Sequence, residues 1–372
     1  MTSKLSLSQI ERIMEDILSP KLAQSWDNVG LLVGNPEQKI ERILFCIDLT
    51  EKVLQEAKAK QVQLIFAYHP PIFDPLKNIR NDTQPIIFSA IRNNIAIYSI
   101  HTALDVIDGG TSDVLADTIE LENRRAIEII DNADEKTFKL VIFVPIDAVN
   151  KVANAIFNAG AGKIGEYTHC SFRAEGTGTF LASPHSNPAI GRKGNLEQIK
   201  EVRLETLVHQ NNISHVIQAM LKAHPYETPA FDIYPRENIP RKQIGLGRIG
   251  TLKKSDTLLS IAKTIKRKTG LKHLIVSDAK KQKIRTAACC PGACGKFAEQ
   301  LAGKIDLFVT GEMRHHSALY LAKHGTSVIC LGHGNSERIA LPYLCKMLKQ
   351  NIKLKKLKFI ISKKDIDPLQ IM

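Results

Sequence analysis

Stacking residues are scarce in this 372-residue chain, which has one tryptophan and seven tyrosines. No recognition-helix, zinc-finger or ribonucleoprotein motif accompanies them, which argues against a nucleic-acid-binding protein. The net charge of +13 would attract phosphate without sequence preference. Its lysines are spread along the chain, with one local concentration at Lys353 to Lys358 and Lys363-Lys364. That charge suits a small anionic substrate. No uninterrupted apolar stretch reaches the roughly 20 residues of a membrane-spanning helix, so no membrane partner is expected. The N-terminus turns acidic and amphipathic before a signal-peptide core can form, and it reads as a capped surface helix over residues 8 to 18. No Cys-x-x-Cys pair occurs. The seven cysteines are odd in number and irregular in spacing, as reduced thiols of a cytoplasmic protein are. Cys289-Cys-Pro-Gly-Ala-Cys294 lacks a second pair at zinc spacing and reads as a strand end running into a Pro-Gly turn. Gly245-Leu-Gly-Arg-Ile-Gly250 lacks the strand–turn–helix context of a dinucleotide fingerprint.

What is present is a soluble globular composition, 44% hydrophobic and 24% charged, in a chain long enough for about two domains. Residues 1–135 alternate strands and helices, the pattern of βαβ units and a largely parallel sheet. Residues 136–236 follow a βαββαβ order that is ferredoxin-like, with Cys170 to Ser183 expected as a hairpin around Gly176 and Gly178. His224-Pro-Tyr-Glu-Thr228 is the most distinctive phrase of that interval. It reads equally as a ligand or interface loop and as a Pro-directed turn. Residues 237–372 resume the α/β pattern. The fold class is therefore α/β, with two similar lobes flanking a cleft and an inserted α+β domain.

Three segments share one design. Gln63 to Phe73, Asn94 to Asp105 and Thr326 to Glu337 each begin with an apolar run suited to a buried parallel strand, then place a histidine at its carboxyl end. Ligands of open α/β sheets gather at that end. Asp105 follows His101, and Glu337 follows His333, at one helical turn, so each carboxylate can face its histidine. A lone histidine of this kind is commonly a hydrogen-bonded cap. Three together, with carboxylates, form the donor set of a first-row transition metal.

The motifs Ser25-Trp-Asp-Asn-Val-Gly30, Tyr68-His-Pro-Pro-Ile-Phe73, His101-Thr-Ala-Leu-Asp105, Thr310-Gly-Glu-Met313 with His316, and Gly332-His-Gly-Asn-Ser-Glu337 occur in order over nearly the whole chain. Together they resemble the Nif-three-like metalloproteins, also called GTP cyclohydrolase type 2 homologues. The resemblance implies two metal ions between two α/β lobes, a ring-shaped homohexamer, and an insert similar to PII and CutA folds. Matched by position, the implied ligands are His69, Asp105, His333 and Glu337, with His101 at or beside the metals. One departure stands out. Tyr68 occupies the place where many members have the first of two consecutive histidines.

Two divalent ions (Zn, Fe or Mn) about 3.5–4 Å apart would activate a bridging water and hold a phosphate or carbonyl oxygen. Tyr68 would donate its hydroxyl to water or substrate. Glu312 and His316 would act as orienters or as a general acid/base, or else as a helix-start acid and a surface histidine. The leading functional expectation is a metal-dependent hydrolase of a phosphorylated or nucleotide-like small molecule. The competing expectation is a non-enzymatic, metal-holding oligomeric scaffold or regulatory partner protein.

Overall fold

A computed structural model describes residues 5–130, 137–165, 167–236 and 244–369. The chain is a mixed α/β protein that divides into two compact units. One comprises Met1–Ile130 with Arg241–Met372, the other Asp131–Pro240. The expected starts of the insert and of the second lobe, residues 136 and 237, lie outside the described residues.

In the first unit, Lys358–Ile361, Arg42–Cys46, Leu64–Ala67, Ala96–Ser99 and Gly30–Val33 form a five-stranded sheet in that order. All its pairings are parallel except that of Gly30–Val33. Alternate residues of each strand enter different cores. Ile43, Phe45 and Phe66 pack with the N-terminal helix. Leu44, Cys46, Ile65 and Ile97 pack with Val53, Leu54 and Ala57 of the helix Glu51–Ala59. Covering both faces is what makes these strands continuously apolar. The N-terminal helix, Leu7–Leu18, starts with a reciprocal Ser6–Gln9 capping box and buries Leu7, Ile10, Met14 and Leu18.

The second sheet has six strands in the order Ile275–Ser277, Ser327–Cys330, Leu307–Glu312, Ile284–Ala293, Gly245–Asp256 and Leu121–Ile129. Its central pairings are parallel and its outer ones antiparallel. Sheet membership does not follow chain order. Leu121–Ile129 joins the second sheet, and Lys358–Ile361 returns to the first, where Phe359 lies 5.0 Å from Phe45, ring to ring. The two sheets thus exchange edge strands, a non-local pairing that no local sequence pattern encodes.

Two local expectations are corrected. Cys289 to Cys294 does not end a strand at a turn, because Ile284–Ala293 runs through Pro291-Gly292. The register against Leu307–Glu312 shifts between Cys290 and Ala293, and such a bulge accommodates a proline that cannot donate to the ladder. The second correction concerns Gly176 and Gly178, which lie inside one strand, Ser171–Leu181, and not in a hairpin turn.

That strand belongs to the second unit, whose antiparallel sheet runs in the order Phe231–Pro235, Thr137–Pro145, Leu196–His209, Ser171–Leu181. The helices Val149–Asn158 and Ile213–Ala223 bury Val152, Ile156, Val216 and Met220 against Leu140, Ile142 and Leu204. The glycine at 178 admits a neighbour's side chain, since a Cβ there would lie 2.2 Å from Glu201 Oε2.

Candidate metal centre

His69 follows the buried strand Leu64–Ala67 of the five-stranded sheet. His101 opens the helix His101–Val106 after Ala96–Ser99, and its backbone φ of 33° lies in the left-handed region, uncommon for a residue with a side chain. His333 opens His333–Arg338 after Ser327–Cys330 of the six-stranded sheet. The rings meet. His69 lies 5.1 Å from His101 and 5.6 Å from His333, centroid to centroid.

Each of the three imidazoles has Nδ1 on a carboxylate. His69 pairs with Asp48 at 2.8 Å, His101 with Asp27 at 2.8 Å, and His333 with Glu312 at 3.0 Å. This fixes ring orientation and leaves Nε2 for another partner, as in metal-ligating histidines. For His69 and His333 that partner is Glu337, whose two oxygens lie 3.3 and 3.2 Å from the respective Nε2 atoms. Glu337 is 4% exposed, and its Oε2 meets His69 only as a 3.3 Å ion-pair contact, with no formed hydrogen bond among the described residues. Donor atoms of His69, His333 and Glu337 all lie within 4.8 Å of one another. A buried, under-satisfied carboxylate between two oriented imidazoles fits a divalent transition metal.

Burial opposes the charge on Glu337, but the facing His333 and His69 rings hold its pKa below the usual value. Burial likewise opposes protonation of His69, yet Asp48 and Glu337 raise it to about 10. His333 rises to about 9, chiefly through its hydrogen bond to Glu337. The carboxylates around these rings therefore favour positive charge between them, which a metal cation would supply in place of the imidazole protons.

Asp105 does not turn to His101, which is taken by Asp27. It accepts the hydroxyl hydrogen of Tyr68, a residue 1% exposed. Burial, partly offset by this bond and reinforced by the charge of Glu337, raises Asp105 to about 7. Burial and the nearby Asp105 keep the Tyr68 phenol well above its ordinary pKa. Glu312, expected as an orienter, a general acid/base or a helix-start acid, sits on His333 Nδ1. His316 lies in the helix His315–Lys323 with its ring 5.5 Å from that of His315. No hydrogen bond or ion pair among the described residues joins it to the cluster.

Sequence reasoning missed two orienters and a glycine. Asp27 lay inside a quoted motif, and Asp48 ends an apolar strand run just as the histidines do, so both signals were present. Gly292 gave none. With φ of 59°, it approaches the centre so closely that a Cβ would lie 2.6 Å from Glu337 Oε1 and 3.3 Å from His333 Nε2. Its N–H donates to Ser336 Oγ at 2.8 Å, and that hydroxyl donates to His333 O at 2.7 Å, tying the bulge to the His333 helix.

The family model for Duf34/NIF3 (NGG1p interacting factor 3) matches residues 5–368, and the chain belongs to that family. Among relatives, "GTP cyclohydrolase 1 type 2 homolog" of Halalkalibacterium halodurans is 39% identical over 93% of this chain and 91% of its own. The protein of the same name from Bacillus subtilis is 38% identical over 90% and 89%. A Bacillus cereus protein related to NIF3 superposes with a TM-score of 0.77 at 35% identity, covering all of both chains. Staphylococcus aureus protein SA1388 gives 0.83 at 26%, also over both full lengths.

Proposed function

We propose that the chain is a divalent-metal-dependent hydrolase of phosphorylated or nucleotide-like small molecules, with its metal cleft between two α/β lobes. The observation that carries this reading is the convergence of two carboxylate-oriented imidazoles on buried Glu337. His69, His333 and Glu337 would hold one ion. Asp105 and His101 would serve a second, weaker position, where Tyr68 stands in place of an imidazole. Bound divalent ions supply Lewis acidity and acidify water. Asp48, Asp27 and Glu312 keep the rings oriented. Tyr68 holds the Asp105 carboxyl in place by donating its hydroxyl to it.

Beside His101 stands the chain's one tryptophan. Trp26 is 57% exposed, and its ring lies 6.0 Å from His101 and 5.9 Å from the exposed Phe73. Such a surface suits stacking of a flat ring, consistent with a nucleotide-like substrate and with the cyclohydrolase name of the relatives. The reading extends to a cytoplasmic homohexamer in which Asp131–Pro240 is an inserted ferredoxin-like, PII/CutA-type module.

The test is turnover of phosphoesters and nucleotides with and without added Mn, Zn or Fe. Metal-stimulated hydrolysis that Glu337→Gln abolishes is expected. Stoichiometric metal with no turnover of any substrate would overturn the hydrolase and leave the metal-holding scaffold. Because Tyr68 supplies no nitrogen, one ion should withstand chelator and the other leave, with Tyr68→His strengthening the weaker position in calorimetric titration.

A further inference from the structure

The second unit carries a cavity of about 750 Å³, within the size range of small-molecule sites. It lies over the strand Ser171–Leu181, with Phe143, Phe180, Glu201, Tyr226 and Glu227 in its wall. A Cβ on Gly176 would meet nothing within 4 Å, so that glycine leaves the floor open.

His224-Pro-Tyr-Glu-Thr228 builds one wall. Buried His224 donates from Nε2 to Phe143 O at 3.0 Å and accepts the Tyr226 N–H at Nδ1 at 3.1 Å. With both ring nitrogens engaged, it fixes the turn that presents Tyr226 and Glu227. Tyr226 donates its hydroxyl to Glu201 Oε1 at 2.8 Å, and its ring lies 6.4 Å from Phe180. Glu227 accepts the Asn187 N–H at 3.1 Å.

Charge decides what would enter. Both carboxylates accept only neutral donors, and neither has an ion-pair partner among the described residues. Arg203, which also lines the cavity, is committed to Glu205 at 2.8 Å and covers the Phe143 ring at 5.8 Å. In a chain of net charge +13, this cavity is locally acidic and aromatic. Carboxylates beside aromatic faces select an organic cation over an anion or a neutral isostere.

We propose that this cavity binds a small organic cation, an amine on an apolar body, with the ammonium at Glu201 and Glu227 and the body over Gly176 between Phe143 and Phe180. The site is separate from the metal cluster and does not depend on the hydrolase reading.

The test is calorimetric titration of the full-length protein with phenethylamine, 2-phenylethanol and phenylacetate. The amine should bind at least about tenfold more tightly than the alcohol, as a charge-assisted contact requires, and phenylacetate should not bind. Glu201→Gln should remove that preference while leaving binding of the alcohol unchanged. Gly176→Phe, which fills the floor, should abolish binding of both with the far-ultraviolet circular dichroism unchanged. Equal binding of amine and alcohol, tighter binding of phenylacetate, or no binding at all would overturn the proposal. So would undiminished amine binding in Gly176→Phe. A change of oligomeric state in that variant, seen by light scattering, would assign the face to a second copy of the chain and equally overturn it.

Discussion

Two buried charged centres lie in the same unit, and they are built in opposite ways. Arg248 is 0% exposed, and all five of its N–H groups are used. It bonds both oxygens of Asp113, at 2.8 and 2.7 Å, and the carbonyls of Gly245, Gly247 and Ile107. Asp113 also accepts the Gly109 N–H. That centre is closed. Glu337 is almost as deeply buried, but keeps an oxygen without a formed hydrogen bond among the described residues and faces two imidazoles whose far nitrogens are pinned by other carboxylates. That centre is open. Burial alone does not distinguish structure from function. Unused coordination capacity does.

The comparison breaks first at Arg248. Replacing it with methionine leaves buried Asp113 with only the longer Arg124 ion pair at 3.5 Å and the Gly109 N–H, and should destabilise the fold by about 3–5 kcal/mol in denaturant unfolding. Adding Asp113→Leu should recover part of that loss. A stability change below about 1 kcal/mol for the single variant would mean that Asp113 is not held as a buried charge.

At the open centre, the orienting carboxylates should matter for metal and little for folding. Asp48→Asn and Glu312→Gln are each expected to weaken metal binding by about 10–100-fold. Stability should change by about 1 kcal/mol or less, as for partly exposed ion pairs. Asp48 is the better covered of the two, so its replacement should have the larger effect. Calorimetry paired with chemical unfolding reads both quantities.

A smaller effect is expected at a third carboxylate, which is closed like Asp113 but serves only the fold. Glu56 bonds Lys60, Ser362 and the Lys363 N–H, tying the C-terminal segment to the helix Glu51–Ala59. Although burial opposes its charge, these bonds lower its pKa to about 2. A depressed carboxylate adds stability above its unfolded pKa, about 4.3, and that stability is lost as pH falls toward 2. Glu56→Gln should therefore lower the unfolding free energy at pH 7, with parent and variant converging between about pH 4 and pH 2. Parallel curves over that window would contradict the assignment.

Much of this contrast was legible before any coordinates. The three strand-end histidines, Glu337 one turn beyond His333, and the strand–helix order of the second unit are local patterns, readable because burial imposes periodicity. Arg248 and Gly292 were not legible. Each takes its meaning from a partner distant in sequence, Asp113 for one and Glu337 for the other. Asp105 misled for the same reason, since helical spacing aimed it at His101 while two non-local bonds, Asp27 to His101 and Tyr68 to Asp105, reassigned both side chains. The exchange of Leu121–Ile129 and Lys358–Ile361 between sheets is likewise a matter of pairing across the whole chain.

The central claim is that Glu337 is open because it holds a cation. Titrating Mn²⁺ into chelator-treated parent and Glu337→Gln proteins by calorimetry tests it most directly, with thermal unfolding of both apo forms alongside. Removal of a direct ligand should exceed the orienting residues' effect, a loss of more than about 100-fold in affinity, while the apo midpoints stay within a few degrees of each other. Equal affinity in the two proteins would contradict the account and return Glu337 to the same structural class as Asp113.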